Sequence, residues 1–184
     1  MRSTTRHTFV AVLGAVGLAV VAPGSAGAAA NPPGDIPDTQ AFVTYRGSGY
    51  SLQVPEGWLR TRKGSGVRFS DKYNAIDATV TPSPKAPTLD SATRREVPQL
   101  TRSVKGFTRP KVMVVRRKAG PTLLISYRAA SEPNAVTGKS ITNDVERYEF
   151  WRAGRLVVLT VAAPQGSDNV DPWKIVTDSF AWTR

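Results

Sequence analysis

The sequence predicts an α+β protein in which a largely antiparallel β-sheet is flanked by α-helices, after an N-terminal signal peptide. Short runs of alternating apolar and polar residues, separated by turns that contain Gly or Pro, predict strands joined as hairpins. Two other segments carry apolar residues at spacings of three and four, which predicts helices. The order is a run of strands, a helix, four more strands and a helix. Hairpin connections therefore dominate, and an α+β sandwich is expected.

One stretch is expected to form the centre of the sheet. Residues 156–163 read Leu-Val-Val-Leu-Thr-Val-Ala-Ala and are apolar, or nearly so, at both alternate sets of positions. Because strand side chains alternate between two faces, a strand that is apolar on both faces must be covered on both. We therefore predict further structure above and below this strand.

The first 28 residues have the pattern of an export signal. Arg2 and Arg6 form a basic start, residues 9–22 form an apolar segment, and residues 26–28, Ala-Gly-Ala, form a cleavage site. The apolar segment is shorter than the ~20 residues that span a bilayer, although an uncleaved N-terminal anchor is the alternative. The arginines are not adjacent and no Cys follows, so neither a twin-arginine signal nor a lipid-bearing Cys is expected. The protein is predicted to be secreted or extracytoplasmic through a Sec-type signal cleaved after Ala28.

The chain beyond this signal is expected to hold one domain. Removing 28 of the 184 residues leaves 156, and a domain of that size buries ~70% of its unfolded surface. Residues 29–41 are rich in Pro, Ala and Gly and predict a flexible tether. Residues 42–184 predict the α+β domain.

Two residue types that dominate catalysis are missing from the predicted mature chain. The sequence has no Cys, and its one His is His7, inside the predicted signal. Their absence argues against Ser-His-Asp and Cys-His catalysis, histidine acid–base chemistry and the usual zinc sites. We therefore expect no enzyme activity, no cofactor and no metal.

The charge is positive and unevenly distributed. The formal charge is +11, and removal of the two arginines of the signal leaves +9. Residues 46–118 carry 16 basic and 5 acidic residues, whereas residues 119–184 carry 7 of each. This asymmetry favours an acidic partner on one face: anionic lipid headgroups, a wall polymer or an acidic protein. The alternative is the solvated surface of a basic exported protein. The candidate contacts with an anionic partner are Arg60, Arg62, Lys63, Arg95, Arg102, Arg116, Arg117 and Lys118.

In the first half of the domain, the sequence predicts four strands and a helix. Residues 42–45 and 50–54 are expected to pair as a hairpin, and Trp58 is expected to cap the core. Residues 60–66 predict a basic, glycine-rich loop. Such a loop can hold a phosphate, but the spacing of a P-loop is missing and a plain exposed hairpin loop is the alternative. Strands are predicted at 67–70 and 75–81.

A helix is expected to follow from residues 88–91, with Asp90 or Ser91 as its N-cap. Its apolar stripe consists of Leu89, Thr93, Val97, Leu100 and Val104. Pro98 is expected to kink or divide the helix because proline lacks a backbone N–H. The helix is predicted to pack on the sheet, and attachment to an anionic membrane surface is the alternative.

The second half predicts four strands and a final helix. The strands are expected at 111–118, 122–130, 145–152 and 156–163, with a polar loop at 131–141. Asp171 is predicted to cap the last helix and Pro172 to occupy its first position. Trp173, Val176 and Phe180 are expected on its buried side.

Several of these segments resemble one known family. Residues 50–58 read Tyr-Ser-Leu-Gln-Val-Pro-Glu-Gly-Trp, and Phe69, the strand at 74–80 and the middle helix follow. The closing segment 173–180 has the form Trp-x-x-Val-x-x-Ser-Phe. Over about residues 42–184 the chain resembles the PsbP/Mog1-like family, including its exported bacterial members. The resemblance implies an antiparallel sheet flanked by helices and a non-enzymatic role, because members typically bind or help assemble other proteins. Some exported relatives are lipoproteins, but this chain lacks the lipobox Cys.

The leading functional hypothesis is an exported, non-catalytic binding or assembly protein of the cell envelope that contacts an acidic partner through a basic face. One alternative is a carboxylate hydrolase that uses Glu146 and Glu149, but these residues point to opposite faces of a strand. Asp144 and Glu146 share a face, where ion pairing with Arg152 is expected instead. Another alternative is a peripheral binder of anionic lipid or wall polymer. Nucleic acid is not expected, because the basic residues lack interleaved aromatic residues, and neither is a transmembrane span in the mature chain.

Overall fold

Ten strands form two antiparallel sheets within residues 34–134 and 136–184, which are the residues that the computed structural model describes. The predicted signal peptide and its cleavage site lie outside the described residues. The smaller sheet has the order β1-β2-β10 and consists of β1 (Phe42–Gly47), β2 (Tyr50–Pro55) and β10 (Ala181–Trp182). The larger sheet has the order β3-β4-β5-β9-β8-β7-β6 and consists of β3 (Leu59–Lys63), β4 (Gly66–Asp71), β5 (Asn74–Pro82), β6 (Thr108–Arg117), β7 (Gly120–Ala130), β8 (Thr142–Arg152) and β9 (Arg155–Pro164).

The strand predicted at residues 156–163 is β9, and it lies at the centre of the larger sheet, as predicted. β9 is the fourth of seven strands and pairs with β5 and β8. Val157, Leu159 and Val161 are buried on one face, which we call the inner face. The opposite residues Val158 and Thr160 are half-buried on what we call the helix face. Both faces are therefore covered, as predicted, but the inner face is covered more completely.

The inner face is covered by the smaller sheet and by helix α3 (Val170–Asp178). Their shared core is rich in aromatic side chains, and the ring centroids of Phe150 and Phe180 lie 3.9 Å apart. Trp58 packs against this core, as predicted. Strand β10 was not predicted, and it extends the chain beyond α3 by pairing Trp182 with Tyr50 of β2.

The helix face is covered by three consecutive segments, which we call the middle helix: α1 (Leu89–Ser91), a π-helical segment (Ala92–Glu96) and α2 (Val97–Ser103). The predicted N-cap is wrong. Thr88 is the N-cap, because its hydroxyl accepts a 3.0 Å hydrogen bond from the Ser91 amide and the Ser91 hydroxyl accepts one from the Thr88 amide.

The π-helical segment also changes the predicted apolar stripe. The Val97 amide bonds to the carbonyl of Ala92, five residues earlier, so the wide turn immediately precedes Pro98. Ala92 is buried, whereas Leu89 and Thr93 are exposed. A π turn contains one residue more than an α turn and so rotates the following residues around the helix axis. The stripe consequently begins at Ala92 and continues through Val97.

Three further predictions are corrected. Residues 60–63 lie in β3 and not in a loop, because they pair in register with β4 across a tight turn. Asn169, not Asp171, occupies the N-cap position of α3. Its side chain bonds instead to a segment that was predicted to be a flexible tether: Oδ1 accepts from the Ile36 amide at 2.7 Å and Nδ2 donates to the Gly34 carbonyl at 2.9 Å.

Of the helices in the described part of the chain, none is both long enough and apolar enough to cross a bilayer.

Candidate functional site

A groove lies between α3 and strands β6 to β8 of the larger sheet. It contains two adjoining cavities of about 470 and 250 Å³, which share Asp144, Glu146 and Trp173 in their walls. Because they share these residues, we treat them as one feature, the α3 groove. The charged residues lining it are Arg109, Lys111, Arg117, Arg128, Asp144, Glu146 and Lys174.

A chain of hydrogen bonds forms the floor of the smaller cavity. Arg117 Nη2 donates to Tyr148 Oη at 2.7 Å, and Tyr148 Oη donates to Glu146 Oε2 at 2.5 Å. Burial raises the pKa of the Tyr148 phenol, and the Glu146 carboxylate raises it further against the opposing effect of Arg117. Tyr148 therefore remains a protonated donor to Glu146. Arg117 also donates to Thr177 Oγ1 at 3.0 Å, which ties β6 to α3.

The larger cavity has a paired carboxylate in its floor. Arg128 Nε lies 2.9 Å from Asp144 Oδ1, and the Gly166 amide donates to Asp144 Oδ2 at 3.3 Å. The predicted pairing of Asp144 with Arg152 is wrong, because Arg128 is its direct neighbour across the β7–β8 register. Arg152 lies near the far end of β8 and stacks over the ring of Trp182.

The rim of the α3 groove is cationic. Within the described residues, no carboxylate forms an ion pair with Arg109, Lys111 or Lys174. A β-bulge between Thr108 and Lys111 contains Arg109, whose φ of 54° is unusual for a residue with a side chain. Bulges break the strand ladder locally and redirect side chains, and Arg109 lines the larger cavity from this bulge. Five cations and two carboxylates line the groove in total, so the groove attracts anions.

A second polar cluster lies on the helix face, but it is closed. The Glu149 side chain is 0% exposed and accepts two 2.9 Å contacts from the Arg147 guanidinium, which also lies 3.7 Å from Glu96. Burial raises the pKa of Glu149 to about 8, and the neighbouring Glu96 contributes to that rise. A carboxyl group enclosed in this way cannot reach a substrate. As expected from the strand, Glu149 and Glu146 lie on opposite faces, so they do not form a catalytic pair.

The eight cations predicted to contact an anionic partner do not share one face. Arg60 and Arg62 lie on β3, and the run 116–118 lies at the end of β6, at opposite edges of the larger sheet. Six strand spacings of ~4.8 Å place these edges about 29 Å apart. Arg95 and Arg102 are exposed on the middle helix, on the other side of the sheet.

Several of the eight already have partners within the chain. Lys63 lies 2.9 Å from Asp77, Arg60 stacks over Tyr45, and Arg117 is in the floor of the α3 groove. Four groove cations were missed, namely Arg109, Lys111, Arg128 and Lys174. Arg128 and Lys174 come from the half of the chain with no net charge, so the charge count gave no signal for them.

Two solved structures share this fold. The solution structure of the cyanobacterial PsbP protein CyanoP from Synechocystis sp. PCC 6803 matches with a TM-score of 0.55 at 16% identity, covering 89% of this chain and 98% of that chain. The chain has a PsbP/Mog1-like fold. The Ran-binding protein Mog1p of Saccharomyces cerevisiae matches this fold with a TM-score of 0.50 at 11% identity, covering 78% of this chain and 96% of Mog1p. No protein-family model and no curated protein matches the sequence.

The PsbP/Mog1-like fold confirms the resemblance and the α+β class predicted from the sequence. At these identities the likeness concerns the fold, so the groove must be interpreted from its own residues. No group of three or more Asp or Glu residues that could hold a metal occurs in the part of the chain that the structure describes.

Proposed function

We propose that this protein is a non-catalytic binding protein of the cell envelope that holds an acidic partner in the α3 groove. The observation that carries the proposal is the charge of the groove, where five cations and two carboxylates meet and three rim cations have no ion-pair partner among the described residues. The signal-peptide pattern supports an envelope location. Mog1p, described as a Ran-binding protein, supports a binding role for this fold.

The geometry of the groove suits recognition of an acidic surface. Positive charges along a concave wall focus the electrostatic field and speed the approach of an anionic partner. Arg109, Lys111 and Lys174 are the rim groups available for new ion pairs. Trp173 lies between the two cavities and offers aromatic surface beside them. Such a site is expected to bind with a marked dependence on salt.

The carboxylates of the groove favour binding over hydrolysis. Asp144 accepts from Arg128 and from the Gly166 amide, and Glu146 accepts from Tyr148. A general acid or base needs a proton position that is open to substrate, whereas both oxygens of Asp144 and Oε2 of Glu146 already accept hydrogen bonds within the chain. Both carboxylates therefore act to orient Arg128 and Tyr148.

Charge reversal at the rim tests the proposal. The K111E/K174E double variant changes the charge by the same amount as R60E/R62E, which lies at the opposite sheet edge and serves as the matched control. We expect envelope components captured by the unaltered protein to be retained at least about tenfold less by K111E/K174E, since tenfold corresponds to ~1.4 kcal/mol. R60E/R62E should capture them normally.

Two outcomes would contradict the α3 groove as the binding site. Equal loss in both double variants would mean that only the net charge matters. Unchanged capture by K111E/K174E would remove the rim from the binding reaction. Parallel assays with vesicles of anionic phospholipid and with purified anionic wall polymer identify the source of the acidic groups. Only the true partner should bind R60E/R62E normally and bind K111E/K174E weakly.

A further inference from the structure

Strand β6 ends the larger sheet and has a partner on only one side. It runs for ten residues and pairs with β7. Alternate residues of an edge strand direct their N–H and C=O groups away from the sheet, where another strand can bond to them. For residues 111–117, the only hydrogen bond to the backbone from outside the β6–β7 ladder, within the described chain, is the 3.3 Å bond from Arg117 Nη1 to the Arg116 carbonyl. Most of this edge is therefore open.

The side chains of this edge are apolar in the middle and cationic at both ends. Residues 112–115 read Val-Met-Val-Val, and Met113 and Val114 are 39% and 56% exposed. Arg109 and Lys111 precede this run, residues 116–118 follow it as Arg-Arg-Lys, and residues 108–118 contain no acidic residue. We call residues 111–117 the β6 edge. Its centre favours an apolar strand and its ends favour acidic residues.

A second copy of the chain is a poor occupant of the β6 edge. Antiparallel pairing of two copies centred on Val114 would place Lys111 opposite Arg117 and Val112 opposite Arg116. Like charges directly opposite each other across a strand pair are destabilising. The same cations that oppose self-pairing favour a strand of opposite charge. Charge complementarity therefore identifies a different, acidic polypeptide as the occupant.

We propose that the β6 edge binds an extended segment of an acidic partner protein as an eighth strand of the larger sheet. The segment would have apolar residues at its centre and Asp or Glu near both ends. Main-chain hydrogen bonds supply affinity in this mode of binding, and alternate side chains supply specificity. One set of the incoming side chains faces Lys111, Met113 and Arg117 on the inner face, next to the α3 groove. The inference rests on the proposed function, since it specifies how the acidic partner binds.

A peptide pair tests for strand addition. The probe is the synthetic peptide Glu-Glu-Val-Thr-Val-Thr-Val-Glu-Glu, and its control carries N-methyl groups on two successive central amides. The control keeps every side chain and charge but cannot form the ladder along either of its edges. We expect the probe to bind at least tenfold more tightly than the control and to slow amide hydrogen exchange in residues 112–115. Equal binding of the two peptides without slower exchange would overturn strand addition.

A matched pair of variants locates the site. Val114 on β6 and Leu59 on β3 are both exposed apolar residues of edge strands, at 56% and 65%. V114E places an acid on the β6 edge and should weaken probe binding about tenfold, whereas L59E should leave it unchanged. Equal effects, or no effect of V114E, would contradict binding at the β6 edge. Circular dichroism and sedimentation velocity of both variants confirm that they are folded and monomeric before binding is compared.

The possible failures can be told apart. If the probe and its N-methylated control bind equally and both are lost in K111E/K174E, the cationic groove stands and strand addition is wrong. If the probe slows exchange in β6 but K111E/K174E binds it normally, the strand pairs without help from the groove and the proposed function is wrong. If neither peptide binds, the inference that β6 accepts an acidic strand is overturned.

Discussion

The two edges of the larger sheet carry similar charges but are built differently. β3 has five residues, of which Arg60, Arg62 and Lys63 are basic and only Leu59 is apolar. Arg60 stacks over Tyr45, Lys63 pairs with Asp77 and Arg62 donates to the Gly64 carbonyl at 3.4 Å, so all three cations have partners inside the chain. β6 has ten residues with four consecutive apolar residues at 112–115.

The difference shows that cations on an edge strand can have two effects. On β3 they interrupt a short strand and block pairing, which is how natural proteins protect sheet edges. On β6 they flank an apolar run that is long enough to pair, so they select the charge of the partner. The sequence-wide charge count cannot separate these cases, because both strands lie in the basic half of the chain. The contacts of each cation separate them.

The largest difference between the two edges is expected in the stability that one arginine contributes to each. Arg117 bonds to Tyr148 and Thr177, whereas Arg60 only stacks over Tyr45. R117A should lower the free energy of unfolding by about 2 kcal/mol, because it removes two charge-assisted hydrogen bonds from a half-buried site. R60A should cost less than about 1 kcal/mol, the range of an exposed cation–π contact. Chemical denaturation measures both values, and equal losses would show that the two edges are anchored alike.

A somewhat smaller effect is expected on self-association. If two copies paired through β6, Lys111 would face Arg117 of the other copy and Arg116 would face Val112. The K111S/R116S variant removes both of these unfavourable contacts. Sedimentation velocity should show dimer formation strengthened at least about tenfold, or ~1.4 kcal/mol.

The control for this experiment is R60S/R62S, which removes two cations from the shorter and more polar edge. It should remain monomeric at the same concentrations. Dimerisation of both variants would mean that lower net charge alone drives association. A monomeric K111S/R116S would mean that the cations of β6 do not prevent self-pairing.

The sequence is most informative where side-chain periodicity decides the structure. Alternation located the strands, and the run at 156–163 identified the centre of the larger sheet because only a central strand can be apolar at both sets of positions. Periodicity failed at the middle helix, where the π turn separates Ala92 and Val97 by five residues instead of three or four. β10 has two residues, which is too short for any alternation to appear.

The candidate site was less predictable than the fold, because it depends on register. Arg128 enters the α3 groove because β7 and β8 pair it with Asp144, and Lys174 enters because α3 crosses the inner face. Neither relation can be read from local sequence. Asn169 has the residue type and position of an N-cap, yet its side chain holds Gly34 and Ile36. The competing long-range bonds that decide its role are visible only in the fold.

A change of pH is expected to affect the interior of the sheet and not its edges. Burial raises the pKa of Glu149 from 4.5 to about 8, so the folded protein keeps a proton that the unfolded chain releases. The contribution of Glu149 to stability is therefore fully present below about pH 4.5 and is lost as the pH rises through about 8. We expect the free energy of unfolding to fall by about 1 kcal/mol or more between pH 6 and pH 9. The groups facing Glu149 are Arg147 and Glu96, and E149Q should remove most of this slope.

The edges provide the internal control for this measurement. The self-association of K111S/R116S and the probe binding at β6 depend on an edge strand that does not contain Glu149, so both should change little from pH 6 to pH 8.5. If they change in parallel with stability, the contrast between the edges reflects opening of the whole sheet and not the charge of each edge. If E149Q retains the full slope, the buried carboxyl group is not its source.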